Sequence, residues 1–205
     1  MKKLSILLIA LSISIVSCKD EKKETKNDDK LTENYVVKPE GTTVKWTAYK
    51  TTEKVPVGGK FKLLKFDNKA GSTPEETLNN LSFSIPVSSV FTNDPSNTRD
   101  AKIINFFFGA MLETEILTGK IKYVNNAYVA SITMNGETND LPLDVTITDE
   151  RRIKLTGTMN LKDWKALDAL ASLNKVCYDL HKGADGVSKT WEDVAIEVDT
   201  YLRKN

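Results

Sequence analysis

Residues 128–147 read YVASITMNGETNDLPLDVTI, and this stretch decides the fold class of the chain. Apolar side chains recur there at every second position on both sides of a polar segment, residues 135–140. A period of two is typical of strands that bury one face of a sheet. The apolar positions are Tyr128, Ala130, Ile132 and Met134, followed by Leu141, Leu143, Val145 and Ile147. The stretch therefore predicts two consecutive strands joined by a turn at residues 135–140.

The same alternation extends from Tyr35 almost to the end of the chain. Short strands repeated in this way indicate an all-β fold, either an antiparallel sandwich or a barrel. Gly58 and Gly59 interrupt one predicted strand and suggest a bulge or a tight bend. The other predicted strands place these apolar groups on one face: Val44, Trp46 and Ala48; Phe61 and Leu63; Leu81, Phe83, Ile85 and Val87; Leu117, Ile121 and Tyr123; Ile153, Leu155, Gly157 and Met159; Val194, Ile196 and Val198.

Three segments break the alternation and predict short helices. Residues 74–78 begin with a proline and two acidic residues, which suit the first turn of a helix. Residues 97–108 offer Asn97 or Thr98 as a helix cap. Residues 162–182 carry leucines at a spacing of three, so part of that segment is expected to be helical; these are Leu167, Leu170 and Leu173.

The first residues of the chain resemble an export signal. Lys2 and Lys3 precede a run of 13 apolar or small residues, 4–16. This run is shorter than the ~20 residues that span a bilayer as a helix, and it suits the apolar core of a signal peptide. The sequence Ile-Val-Ser-Cys at residues 15–18 resembles a lipobox, in which the cysteine sulfur accepts a diacylglyceryl group. We predict a signal peptide over residues 1–17 and lipidation of Cys18; an ordinary signal peptide with a chance cysteine is the alternative.

Residues 18–34 hold the predicted lipidated cysteine and a charged segment. Eleven of the 16 residues after Cys18 are charged. This composition buries too little surface to fold, so we expect a flexible tether to a domain at residues 35–205. Residues 19–21, Lys-Asp-Glu, resemble a signal for the outer face of the outer membrane, and ordinary linker solvation explains them equally well. The expected location is the cell envelope, as an outer membrane lipoprotein with exposure at the cell surface left open.

Composition argues against several function classes. The formal net charge is +1 and the folded region has no basic cluster in sequence, so a nucleic-acid partner is not expected. The single histidine, His181, and the cysteines give no usual transition-metal site. If Cys18 is lipidated, Cys177 lacks a disulfide partner within the chain and is expected to be a buried or half-buried free thiol. A Cys177–His181 pair on one helix face is the alternative. No catalytic constellation stands out, so we expect no enzymatic activity.

The inward strand positions are the candidate ligand contacts. A barrel of about eight strands is either filled by its own side chains or holds one small ligand. The sequence leaves open whether these side chains form a solid core or surround a cavity. The candidates are Trp46, Phe61, Phe83, Ile85, Ile132, Val145, Leu155 and Ile196.

Four stretches occur in the order found in a known family. They are Val44-Lys45-Trp46 with Val57-Gly58-Gly59-Lys60-Phe61; Asn97-Thr98-Arg99-Asp100 with Phe106-Phe107-Phe108; Met134-Asn135-Gly136 with Leu141-Pro142-Leu143-Asp144-Val145; and Met159-Asn160-Leu161-Lys162-Asp163-Trp164 with Trp191-Glu192-Asp193-Val194-Ala195-Ile196-Glu197-Val198. Together they resemble the YceI-like family of lipocalin-like, polyisoprenoid-binding proteins. The resemblance covers nearly the whole domain from Tyr35.

The resemblance implies an extended antiparallel lipocalin-like β-barrel with short helices and an apolar interior. In the family an isoprenoid chain, such as that of a quinone or a polyprenyl lipid, lies inside. Burial of such a chain is favourable by about 25 cal/mol per Å². Arg99 is either a head-group ligand or half of a structural pair with Asp100. We expect a lipid-anchored, non-enzymatic carrier with no cofactor beyond a bound isoprenoid lipid. The alternative is a structural or interaction lipoprotein with a filled barrel, and the oligomeric state stays open.

Overall fold

The computed structural model describes residues 34–96 and 98–205. The predicted signal peptide, Cys18 and all but the last residue of the predicted tether lie outside the described residues, as does Asn97. The described strands are β1 (Tyr35–Val36), β2 (Thr42–Lys50), β3 (Val55–Phe61), β4 (Lys65–Phe66), β5 (Ala70–Gly71), β6 (Ser82–Pro86), β7 (Val90–Phe91), β8 (Ile116–Val124), β9 (Ala127–Met134), β10 (Glu137–Thr148), β11 (Arg152–Asn160), β12 (Asp193–Tyr201) and β13 (Arg203–Lys204).

Ten of the described strands form one antiparallel sheet, in the order β4-β6-β8-β9-β10-β11-β12-β2-β3-β7. Eight of these ten have five residues or more. The sheet curls into a half-barrel, which confirms the predicted all-β, lipocalin-like antiparallel fold. The remaining strands, β13, β1 and β5, form a small separate sheet.

The chain itself joins the two edges of the curled sheet. β3, beside one edge, leads within a few residues to β4 at the other edge, and β6 leads back to β7 in the same way. Lys62 N donates to the carbonyl oxygen of Ser89 at 2.9 Å across this seam. The Ser89 hydroxyl donates to the carbonyl oxygen of Pro86 at 2.7 Å. These bonds satisfy backbone groups where the strand ladder stops.

All three predicted helical segments contain helix. α1 spans Pro74–Leu78, and the side chain of its cap, Thr73, accepts from Glu76 N at 3.2 Å. Residues 98–110 form α2 (Thr98–Lys102), a π-helical turn (Ile103–Phe107) and a 3-10 turn (Phe108–Ala110). The third segment holds α3 (Leu167–Val176) and a 3-10 helix, Tyr178–His181. Short 3-10 helices also occur at Pro39–Gly41 and Val87–Ser89.

The hairpin turn is shorter than predicted. Only Asn135 and Gly136 separate β9 from β10, with φ of 54° and 73°. Both residue types tolerate the left-handed backbone of a two-residue hairpin. The predicted turn residues 137–140 instead continue the ladder of β10, where Glu137 pairs with Met134.

Two local predictions were wrong. Gly58 and Gly59 form no bulge or bend, because they pair in unbroken register with Thr47 and Trp46. Leu63 is 58% exposed, since β3 ends at Phe61 and the chain leaves the sheet before it. Tyr123 lies on the predicted face of β8 with Ile121, because the unbroken register pairs it with Tyr128, on whose ring it packs; at the end of the strand it is still 39% exposed.

The two ends of the half-barrel differ. Strand register places Lys50, Met134, Glu137 and Asn160 at one end, which α2, the π-helical turn and α3 cover. The opposite end is closed by buried apolar residues, among them Val37, Leu78 and Leu81. In the described part of the chain, no helix has both the length and the apolar character needed to cross a membrane.

Candidate functional site: an apolar cavity with a basic rim

A cavity of about 420 Å³ lies inside the curled sheet. This volume falls within the range of roughly 300–1,000 Å³ that is usual for small-molecule sites. Strand side chains form its walls because alternate residues of each strand face the concave side. A barrel of this strand number has room for one small ligand only if its side chains leave part of the interior unfilled. The interior here is therefore not a solid core.

The structure brings most of the predicted ligand contacts together. Eight of the nine predicted residues line the cavity. The ninth, Val145, does not line the cavity and packs against the buried core. Whether they contact a ligand stays a prediction. The eight are Trp46, Phe61, Phe83, Ile85, Arg99, Ile132, Leu155 and Ile196.

A glycine makes room for one of the aromatic wall residues. Phe83 of β6 pairs with Gly119 of β8. A Cβ at position 119 would lie 2.9 Å from Cε1 of Phe83 and 2.6 Å from the carbonyl oxygen of Ser131, so a side chain there would collide with both. Gly119 thus allows the ring to lie close to the sheet and leaves volume open above it.

The helical end supplies a lid of apolar side chains. The π-helical turn and the 3-10 turn after it contribute Ile103, Phe107 and Phe108, and α3 contributes Leu170 and Leu173. α3 packs on the π-helical turn. Single turns of π-helix are rare inside helices and occur frequently at functional sites. These lid residues give the cavity an apolar lining at its helical end, beneath the opening.

Among the residues that the structure describes, charged side chains line the cavity only at this helical end. They are Lys50 at the end of β2, Asp94 before α2, and Arg99 and Lys102 on α2. We call Lys50, Arg99 and Lys102 the basic rim. At the closed end the lining is mainly apolar, with Val37, Leu78 and Leu81. Two threonines at that end, Thr42 and Thr200, hydrogen-bond to each other at 2.7 Å. The cavity is therefore amphipathic along its length, with an apolar floor and a positively charged opening.

His181 is held beside the basic rim by hydrogen bonds. Its Nδ1 lies 2.7 Å from Thr190 Oγ1, and the Thr190 hydroxyl donates to Asn174 Oδ1 at 2.7 Å. Because the threonine hydrogen is used for Asn174, we assign the imidazole proton to Nδ1. Burial first, and then the positive charges of Lys50, Lys102 and Arg99, lower the pKa of His181 from 6.5 to about 4. The ring is neutral at physiological pH.

Cys177 is a buried free thiol, as predicted. It lines the cavity beneath the rim, and burial raises its pKa. The alternative of a Cys177–His181 side-chain pair is not what the structure shows, because the histidine Nδ1 is directed to Thr190 and Asn174. The bond between the two residues joins backbone atoms, from His181 N to the carbonyl oxygen of Cys177 at 2.9 Å.

Arg99 and Asp100 contact different residues. Asp100 Oδ1 accepts from Thr92 N at 2.9 Å and from Thr92 Oγ1 at 2.6 Å, which ties the start of α2 to the end of β7. Arg99 Nη2 lies 3.9 Å from Asp94 Oδ1, and its side chain reaches the cavity rim. Asp94 Oδ2 accepts from the backbone N–H groups of Thr98 and Arg99, so Asp94 rather than Thr98 caps the helix.

Sequence reasoning missed Lys50, Lys102 and Thr190. The two lysines, at positions 50 and 102, are far apart in sequence. The fold brings the end of β2 and α2 to the same end of the cavity. Thr190 lies in the long connection before β12, where no periodic pattern marks it. Within residues 34–96 and 98–205, no group of three or more His, Cys, Asp and Glu side chains is placed to hold a metal ion.

The sequence of the folded region matches the YceI-like domain over residues 35–202. The chain belongs to the YceI-like family. This membership confirms the resemblance inferred from the four motifs. No curated protein matches the chain with significance.

Solved structures with similarity to this YceI-like chain include the following three. A polyisoprenoid-binding domain from Saccharophagus degradans, implicated in plant cell wall breakdown, has 12% sequence identity and a TM-score of 0.60 over 84% of this chain and 99% of that one. BcnA of Burkholderia cenocepacia has 16% identity and a TM-score of 0.47 over 81% and 98%. A YceI protein of Campylobacter jejuni has 18% identity and a TM-score of 0.47 over 73% and 85%.

Proposed function

We propose that this YceI-like protein is a lipid-anchored carrier that holds the apolar chain of an isoprenoid-type lipid, quinone-like or polyprenyl, in its cavity. The observation that carries the proposal is the apolar cavity of about 420 Å³ inside the half-barrel. The alternative of a structural lipoprotein requires a barrel filled by its own side chains. The open volume favours the carrier.

Burial of hydrocarbon is the physical basis for binding an apolar chain in this cavity. Each Å² of apolar surface removed from water contributes about 25 cal/mol, so a long chain gains affinity without many polar contacts. The walls offer aromatic and branched side chains such as Trp46, Phe83 and Ile196. The isoprenoid class rests on family membership and on the fold shared with the polyisoprenoid-binding domain of S. degradans. The carrier role involves no chemical step.

The anchor is the second part of the proposal. Lipid on Cys18 would keep the domain beside a cell-envelope membrane, where its ligand is found. Several buried acyl chains give stable anchoring, whereas one chain gives only marginal binding. The charged residues after Cys18 would then act as a spacer. Labelling cells with a radioactive fatty acid tests this part, and Cys18→Ser must abolish the label if the proposal is right.

Tryptophan fluorescence tests the cavity directly. Trp46 and Trp191 line the cavity, whereas Trp164 is buried elsewhere and its Nε1 donates to the carbonyl oxygen of Ile132. Titration of the full chain with decylubiquinone, which carries a short apolar tail, should quench part of the emission saturably. Trp46→Phe should reduce the quenched fraction, and Trp164→Phe should leave the quenched intensity unchanged. Quenching that does not saturate, or that persists equally in Trp46→Phe, would count against the proposal.

A further inference from the structure

A cluster of oxygen atoms lies outside the cavity lining, between the β2–β3 turn and the loop that precedes β12. An ideal Cβ on Gly183 would lie 2.9 Å from Asp185 Oδ1, 3.0 Å from Glu53 Oε2 and 3.3 Å from Thr52 Oγ1. Oxygens from two separate segments of the chain therefore surround one point, and residue 183 has no side chain to fill it. Glu53 and Asp185 are exposed, so their side chains have room to adjust.

The two carboxylates of this cluster lie close together without a cation between them. The ion pairs in the described part of the chain use other carboxylates. Asp185 is held by neutral donors, since its Oδ2 accepts from Thr52 Oγ1 at 2.7 Å and its Oδ1 accepts from Val187 N at 3.0 Å. Neighbouring negative charges repel each other, and a cation between them removes that repulsion.

The hydroxyl of Thr51 is a second, independent observation that points to a ligand. Thr51 is only 7% exposed, and its Oγ1 is buried without a hydrogen-bond partner among the residues that the structure describes. It lies beside the Glu53 carboxylate without the alignment of a hydrogen bond, and it is the group that most lowers the pKa of Glu53. A buried oxygen without a partner is costly, and coordination to a cation offsets that cost.

We propose that Glu53 and Asp185, with the hydroxyls of Thr51 and Thr52, form a calcium site. Ca²⁺ takes six to eight oxygen ligands at about 2.3–2.6 Å in flexible geometry, so small rotations of these side chains are enough to enclose an ion beside Gly183. Mg²⁺ demands a near-ideal octahedron at about 2.0–2.1 Å, which fits an open cluster of this kind less well. With two carboxylates, two hydroxyls and water as ligands, we expect a Kd of about 0.1–1 mM, as in extracellular calcium modules.

A calcium ion at this site joins two segments that already meet beside the cavity opening. Thr51 N donates to the carbonyl oxygen of Lys189 at 2.9 Å, and Trp191 Nε1 donates to the carbonyl oxygen of Thr51 at 2.7 Å. The ion adds a side-chain bridge to these bonds and holds residues 182–189, which follow the lid, against the end of β2. The site depends neither on the ligand of the cavity nor on lipid at Cys18.

Terbium luminescence tests the site, because Tb³⁺ also prefers oxygen ligands and Trp191 lies close enough to Thr51 to sensitise it. The full chain, first stripped of metal with a chelator, should give Tb³⁺ emission when tryptophan is excited. Ca²⁺ should displace this emission at about 0.1–1 mM, and Mg²⁺ only at about tenfold higher concentration. Calcium alone at about 10 mM should raise the Tm by about 3–10 °C.

Three variants and a control separate the site from unspecific binding of cations. Glu53→Gln and Asp185→Asn should each weaken calcium binding about tenfold or more, since calcium affinity follows the charge of the ligands. Gly183→Ala keeps both carboxylates but places a methyl group among the oxygens, and its backbone has no positive φ, so it should weaken binding without unfolding the chain. Asp149→Asn, in the exposed β10–β11 turn at the opposite end of the half-barrel, removes the same charge and should leave the affinity unchanged.

Two results would overturn the calcium site. One is a parent chain whose Tm does not respond to calcium. The other is a Glu53→Gln variant, folded by circular dichroism, whose terbium emission and calcium response equal those of the parent. Either result leaves the carrier proposal intact, because the cavity and its lining do not include these residues.

Discussion

The indole of Trp46 packs against the backbone of Gly59, its partner in the register of β2 and β3. A Cβ at position 59 would lie 2.7 Å from Cε2 of the indole and 3.1 Å from the carbonyl oxygen of Phe91. The missing side chain lets the Trp46 indole, a large part of the cavity wall, lie against the sheet. Gly59, one of two neighbouring glycines that resemble a break in a strand, thus makes room for a side chain of the cavity wall.

Gly59→Ala should destabilise the protein by about 1–3 kcal/mol, because the added methyl forces the indole or the backbone to move. The displaced indole should also weaken binding of an apolar ligand. Gly58→Ala is the matched control, since a Cβ there meets nothing closer than 3.6 Å; its effect should be about 0.5 kcal/mol or less. Urea unfolding followed by circular dichroism measures both. Equal destabilisation by the two variants would show that the indole contact is not the cause.

Asn135 ties the β9–β10 turn to the residues that flank the two segments of the lid. Its Oδ1 accepts from Leu112 N at 2.9 Å, and its Nδ2 donates to the carbonyl oxygens of Trp164 and Lys165 at 3.0 Å each. Asn135→Gly keeps the positive φ and removes these bonds, so it should cost about 1–2 kcal/mol of unfolding free energy and speed amide exchange in α3. Asn125→Gly, at φ 51° in the β8–β9 turn, is the control and should leave α3 protected.

His181 makes the stability depend on pH. Its pKa is about 4 in the folded protein and 6.5 as the ordinary value, because burial and then Lys50, Lys102 and Arg99 disfavour the charged ring. The unfolded chain binds more protons between these pH values, so the free energy of unfolding should fall as the pH drops from about 6.5 to about 4. Carboxylates also titrate near the lower limit, but their contribution cancels in a difference between two proteins.

The measurement is urea unfolding of the parent and of His181→Gln at several pH values from 7 to 4. The difference in unfolding free energy between them should shrink steadily as the pH is lowered. A difference that is independent of pH would mean that the ring is not held neutral at the rim. Titration of the His181 ring protons by NMR gives a second reading of the same pKa.

The sequence revealed the strands because a buried face imposes a local period of two, which is visible without knowing the neighbours. It placed Trp46, Phe83 and Ile132 on the inward face correctly for this reason. Leu63 was misplaced because the pattern does not show where a strand leaves the sheet. Gly59 was misread because its role depends on the residue across from it, and pairing register is not a local property.

The cavity and its rim were beyond the reach of the sequence for a related reason. Whether inward side chains meet or leave a volume depends on the curl of the whole sheet and on small residues such as Gly119 beneath Phe83. The lysines at positions 50 and 102 resemble many solvated surface lysines until the fold brings their chain segments together. The structure places Arg99 of the Arg-Asp motif at the cavity opening, whereas Asp100 contacts Thr92.

Extraction of lipid from the purified protein tests the central claim most directly. The full chain, purified from bacterial cells and washed free of loosely associated lipid, would be extracted with organic solvent and the extract analysed by mass spectrometry. One variant in β2 tests the cavity and a second serves as its control. Ala48→Phe places a large side chain in the cavity, and Thr47→Phe places a large side chain on the opposite face of the sheet. We predict a long-chain lipid at close to one per protein from the parent and from Thr47→Phe, and much less from Ala48→Phe. A parent protein that releases no lipid, or an Ala48→Phe variant that releases as much as the parent, would contradict the carrier account.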